Sequence, residues 1–161
     1  MATINPKSEP QLTSQPGTAE FDDSDYQSQA AFRHALRRFL HFSEQQARAH
    51  GITPQQHIAL LSIRGQKTYP RVTVGDVAEA MQMRHHSASL LIDRCVKRGL
   101  LDRQEDPDDR RRVMLSLTDE GQQVLDDITR ANREELHALD LDVFQRAVRS
   151  AVDTAWGAAD T

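Results

Sequence analysis

Cysteine is nearly absent from the sequence: Cys95 stands alone, which excludes an intrachain disulfide framework and a cysteine-rich zinc finger and fits a reducing compartment. Aromatic residues are scarce as well, 5% of the 161 residues against 38% hydrophobic overall. These are lean values for a monomeric globule and suit apolar surface shared between two copies of the chain. No apolar run approaches the roughly 18 residues that span a bilayer, and the first residues are polar without a charged-then-apolar leader. The expectation is a soluble, cytoplasmic protein with no membrane partner. The sequence carries no Gly-rich phosphate loop, no Gly-x-Ser-x-Gly and no metal-ligand pair, and Cys95 has no motif partner. An enzyme finds little support in it, and no cofactor or metal is expected.

Negative charge dominates the whole chain, at -4, but not its middle. Of 20 bases and 24 acids, residues 1–25 take one and five and residues 118–161 take four and ten. Residues 26–117 keep fifteen bases against nine acids, a net of +6 before any histidine protonates. An anionic partner would bind there.

Residues 1–22 mix Pro, Ser, Thr, Gln and Gly without periodicity, the composition of a disordered arm. One domain is expected over 23–161. Ala31, Phe32, Ala35, Leu36, Phe39 and Leu40 recur at the spacing of one helical face within 25–50, and Gly51 supplies the stop. Thr53-Pro54-Gln55-Gln56 opens a second helix as a capping box with proline in the first position, and Gly65 ends it. Thr73 caps a short helix through Val77, Ala78 and Met81.

Met83 to Gly99 predicts a further helix with Ala88, Leu91, Ile92 and Cys95 on one face, basic residues in its last turn and Gly99 at its end. Two short helices across a tight turn make a helix-turn-helix. Leu100–Arg103 and Val113–Leu117 then predict two strands around a polar turn, Gln104 to Arg112, with Pro107 in it. A hairpin placed directly after such a helix is a wing. The expected fold class is therefore mainly α with a small β-hairpin wing, a winged helix-turn-helix over 53–117. Thr118 caps a long helix carrying Val124, Leu125, Ile128 and Leu136, and a final helix shows a wide apolar face from Val143 to Trp156.

The runs Val77-Ala78-Glu79, Ile92-Asp93-Arg94, Lys97-Arg98-Gly99-Leu100-Leu101, Asp106-Pro107-Asp108-Asp109-Arg110-Arg111-Arg112 and Leu117-Thr118-Asp119-Glu120-Gly121 resemble the MarR family of bacterial transcription regulators. The wing sequence followed by Leu-Thr-x-x-Gly is the specific part. The resemblance implies a triangular homodimer joined by the helices at 25–50 and 119–158. It implies a double-stranded DNA partner with an approximate inverted repeat, and most often repression.

Arg84, His85, His86, Ser87 and Ser89 open the helix after the turn with donors suited to base edges and phosphates in a major groove, and Thr73 joins them from the preceding helix. Arg84 stands where many relatives have a capping Ser, and a cation there opposes the helix dipole. In the resembling family the positions of Asp109 and Arg111 set an arginine in the minor groove, and Arg110 and Arg112 flank it here. Glu105, Asp106, Asp108 and Asp109 share that loop and are expected to shape the wing.

Cys95 falls on the apolar stripe, so a small buried hydrophobe is expected rather than a redox sensor. His34 and His41 share a helical face, with His57 and His137 as further candidates, but no ligand spacing supports a metal-responsive regulator. Members of the family commonly bind aromatic or phenolic effectors between the dimerisation helices and the DNA lobe. By analogy Phe39, Phe42, His57 and Leu61 line such a cleft or belong to the core.

Overall fold

The computed structural model describes residues 21–109 and 112–139. Residues 1–20 of the disordered arm expected over 1–22, Arg110, Arg111 and the final helix expected from Val143 to Trp156 lie outside the described residues; Asp22, expected in that arm, is instead the N-cap of α1. Within them the chain runs α1 (Asp23–Ala49), α2 (Pro54–Arg64), α3 (Val74–Ala80), α4 (His85–Lys97), β1 (Leu101–Glu105), β2 (Val113–Leu117) and α5 (Asp119–Ala138).

Local chemistry fixes most of the boundaries. Asp22, Thr53 and Thr73 each close a capping box with the residue three places on, and Thr118 accepts the Gly121 N–H at 3.0 Å. α1 and α4 end on Gly51 and Gly99, at φ 73 and 75, values a side chain rarely adopts. Both close the double hydrogen-bond pattern that satisfies the last carbonyls, with Ile52 N–H donating to Ala47 and Leu100 N–H to Cys95. α3 ends in the same way on Gln82, at φ 51, with Met83 N–H donating to Ala78 at 2.9 Å. That reversal is the tight turn between α3 and α4.

The core gathers one face of every element: Leu60 and Ile63 from α2, Val77 from α3, Leu91, Ile92 and Cys95 from α4, Leu101 and Leu115 from the hairpin, and Leu125 and Ile128 from α5. Burying such a side chain contributes about 1.5–3 kcal/mol each. The hairpin is antiparallel, with Leu101 opposite Leu117 and Glu105 opposite Val113. Val72 adds a single bridge to its other edge, accepting the Leu115 N–H at 2.7 Å. α1 packs on α5, where Asn132 donates to Ser43 at 3.0 Å.

Several bounds differ from expectation. α1 starts at Asp23, ahead of the expected 25, because Asp22 caps it. α4 begins at His85 instead of Met83, because Gln82 and Met83 are consumed by the turn. β1 runs from Leu101 to Glu105, one residue later than expected at its start and two at its end. Its residues after Leu101 are all exposed and lack an apolar alternation, so pairing with β2 holds them extended.

Candidate nucleic-acid interface

The first turn of α4 is built differently from every other helix start among the described residues. Arg84 occupies the N-cap position with an extended backbone (φ -68, ψ 143) and makes no side-chain cap hydrogen bond. The first backbone N–H groups of a helix have no intrahelical partner, and the helix dipole places partial positive charge beside them. Arg84, His85, His86 and Ser87 are all exposed there, whereas Ser89 is half-buried. A cation and exposed donors thus converge at a point where a stability-driven sequence would place Ser, Asp or Thr.

The wing stands next to this turn. Thr73, Val74, Gly75 and His85 line a cleft of about 460 Å³ with Arg112 and Val113, so three of the residues expected to meet DNA share one wall. Thr73 is half-buried and committed to its cap: its hydroxyl donates to Asp76 at 2.8 Å and accepts the Asp76 N–H at 3.3 Å. It shapes the cleft more than it offers a free donor. Asp109 is exposed, and its carbonyl accepts the Arg112 N–H at 2.8 Å across the wing turn. Arg110 and Arg111 lie outside the described residues.

An arginine that sequence patterning did not single out fixes the base of the wing. Arg71 donates to the Asp106 carboxylate at 3.0 Å and also bonds Asp108. Asp106 is buried, at 3% exposure, and accepts the Asp108 N–H at 2.9 Å. That backbone donor, and after it Arg71, hold the Asp106 carboxyl below the usual carboxylate range against the penalty of burial. On the other side of the hairpin Arg103 pairs with Asp93 of α4 at 2.7 Å. The wing acids therefore do shape the wing, as expected, with Asp106 and Asp108 as the ones seen to do so. The pairing with Arg71 links positions 35 and 37 residues apart, beyond the reach of local pattern.

Behind the hairpin the Leu-Thr-x-x-Gly sequence acts as a joint. Thr118 Oγ1 donates to the Gly99 carbonyl at 2.6 Å and Thr118 N–H to the Leu100 carbonyl at 3.2 Å. A Cβ at Gly121 would stand 2.0 Å from the Leu100 oxygen. The motif exists because α5 must start in contact with the backbone that joins α4 to β1.

A family model described as the MarR family matches residues 50–112, the segment that holds this interface. Over that segment the chain is similar to the MarR family. The chain is 34% identical over 93 residues to the HTH-type transcriptional repressor MdtR of Bacillus subtilis (strain 168), covering 58% of this chain and 56% of that one. It spans about half the length of the curated relatives it matches. Among solved structures it shares its fold with a mutant of MepR from S. aureus bound to an oligodeoxyribonucleotide, at a TM-score of 0.58 and 20% identity over 86% of this chain and 99% of that one. It also shares it with CouR from Rhodococcus jostii RHA1 bound to p-coumaroyl-CoA, at a TM-score of 0.62 and 21% identity over 87% and 94%.

Cys95 is buried, and burial pushes its thiol up to about 11 against the opposing pull of Arg94. At neutral pH it is a protonated core hydrophobe. Phe39 and Phe42 are half-buried on α1, and His57 is buried on α2 with Nε2 lacking a hydrogen-bond partner. Burial lowers the His57 pKa, so the ring is neutral. Leu61 remains 48% exposed. No cluster of three His, Cys, Asp or Glu side chains able to hold a metal occurs among the described residues. No helix among them is long and apolar enough to cross a membrane.

Proposed function

We propose that the chain is a transcription regulator, not an enzyme, that binds double-stranded DNA sequence-specifically as a cytoplasmic homodimer. The observation that carries this is the first turn of α4, where Arg84 sits uncapped beside three exposed donors and next to the wing-lined cleft. A phosphate or base edge supplies the acceptors that this helix start lacks. The oligodeoxyribonucleotide bound to the MepR mutant, which shares the fold, supports DNA as the partner. Arg112, with Arg110 and Arg111, is assigned to the phosphates and minor groove beside it.

Tyr26, Phe32 and Leu40 leave apolar surface exposed along α1, which supports pairing of two copies through that helix. A two-fold dimer presents two recognition helices to successive major grooves, so the operator is an approximate inverted repeat. Control by a small aromatic or phenolic molecule is assigned to the α1 and α2 residues Phe39, Phe42, His57 and Leu61, and the buried His57 Nε2 without a hydrogen-bond partner supports a polar contact to it. The ligand bound to CouR supports such a role. A compound that binds the free dimer more tightly than its DNA-competent form releases DNA by that difference alone, giving repression relieved by the effector.

Fluorescence anisotropy tests the function on the DNA upstream of the chain's own gene, at two salt concentrations, against a scrambled duplex. Selective binding that weakens steeply with salt is expected. Equal, weak binding to both duplexes contradicts it.

A further inference from the structure

Opposite its buried stripe of Ala88, Leu91, Ile92 and Cys95, α4 turns His86, Leu90, Arg94 and Lys97 outward. Successive members of this outer row stand three or four residues apart, one helical turn each. Three are polar or cationic; Leu90, in the second turn of the helix, is not. A single exposed leucine is ordinary on a protein surface, and what sets Leu90 apart is its location. From Val72 to Leu117 the only large hydrophobics exposed among the described residues are Leu90, at 49%, and Val113, at 40%, and Val113 lines the cleft beside the wing. Leu90 is not among the side chains that form or pack against the core. Arg94 folds back along the helix, its Nε donating to the Leu90 carbonyl at 3.3 Å, which keeps a cation beside the leucine.

We infer that Leu90 is a specificity-determining residue that reads the C5-methyl of a thymine in the major groove. The inference rests on the DNA-binding function proposed above and deepens it. The major-groove edge of a base pair presents donors, acceptors and one apolar feature, the thymine methyl. An apolar side chain one turn into an outward-facing helix, between His86 and Arg94, matches that feature. Cytosine, with an amino group and no methyl at the same edge, leaves its donor unsatisfied against Leu90 and is rejected.

The test uses the full chain. A binding duplex is selected from a randomised pool, and each thymine is replaced in turn by deoxyuridine, which removes the methyl and nothing else. Dissociation constants are measured for the wild type and for Leu90→Ala, with circular dichroism confirming that the half-exposed substitution leaves the fold unchanged. The wild type is expected to lose roughly three- to five-fold in affinity at one thymine per half-site, the worth of about one buried methyl. Leu90→Ala is expected to bind the thymine and uracil duplexes equally at that position while keeping its losses elsewhere. Selective binding by the wild type with no methyl-sensitive thymine, or with the same sensitivity in Leu90→Ala, overturns the role of Leu90 and leaves the DNA-binding function standing. If the pool yields no selective binder, both fall.

Discussion

Replacing Gly121 by alanine should destabilise the protein, against the usual sign of that substitution in a helix. Within a helix Ala is favoured over Gly by about 1 kcal/mol. Here the added Cβ would lie 2.0 Å from the Leu100 oxygen, 2.9 Å from its carbonyl carbon and 3.2 Å from its Cα. All three are backbone atoms that cannot rotate away, so α5 must retreat by more than an ångström to reach ordinary contact. That retreat breaks or stretches the Thr118 bonds to Gly99 and Leu100, worth about 1 kcal/mol each. Overpacking adds about 1–3 kcal/mol. Net of the helix gain, the loss is about 2–4 kcal/mol, or roughly 5–15 °C in Tm for a chain of this size. Gly75→Ala is the internal control: its Cβ would meet only Thr73 Oγ1, at 3.5 Å, so that variant should hold or raise Tm. Thermal unfolding followed at 222 nm by circular dichroism compares the two. A Gly121→Ala protein as stable as Gly75→Ala would refute the contact between α5 and Leu100.

Arg71→Met should free the base of the wing: hydrogen exchange across 105–109 rises and DNA affinity falls while the salt slope stays the same, because Arg71 positions the wing and touches no phosphate. A slope reduced by about one unit would instead make it a direct phosphate contact. Burial lowers the His57 pKa, so the unfolded chain takes up this proton first and stability drops as pH falls below the ordinary histidine value of about 6.5, by at most about 1.4 kcal/mol per unit. Denaturant titrations of His57→Gln should show a shallower fall in that window, and an identical fall would mean another group titrates. Cys95 should resist a thiol reagent in the native protein and react at once in denaturant; fast reaction of the folded chain would reopen a redox role.

Much of the fold is legible in the sequence because caps are local. Thr53 with Gln56, Thr73 with Asp76, and the glycines at 51 and 99 declare helix ends within a few residues. The stripe of Ala88, Leu91, Ile92 and Cys95 announces α4 for the same reason, since a helical face repeats within two turns. What local pattern hides is contact between distant segments. Nothing near Arg71 indicates Asp106, and nothing near Gly121 indicates Leu100. The extension of β1 through Glu105 was hidden because those side chains all face solvent and carry no alternation. At the interface, the donors of α4 were legible as an exception to good capping, whereas Leu90 was not, since a leucine beside Leu91 and Ile92 gives no sign of facing outward.

If the first turn of α4 is shaped for DNA at the expense of its own stability, Arg84→Ser should reveal both sides of that exchange. Serine at this extended position can cap the first N–H groups, and removing the cation relieves the dipole, so unfolding free energy should rise by about 1–2 kcal/mol. Binding to the selected duplex should weaken at the same time, with a salt slope smaller by about one unit. A variant that gains stability and binds DNA as tightly as the wild type, with the same slope, would contradict that exchange.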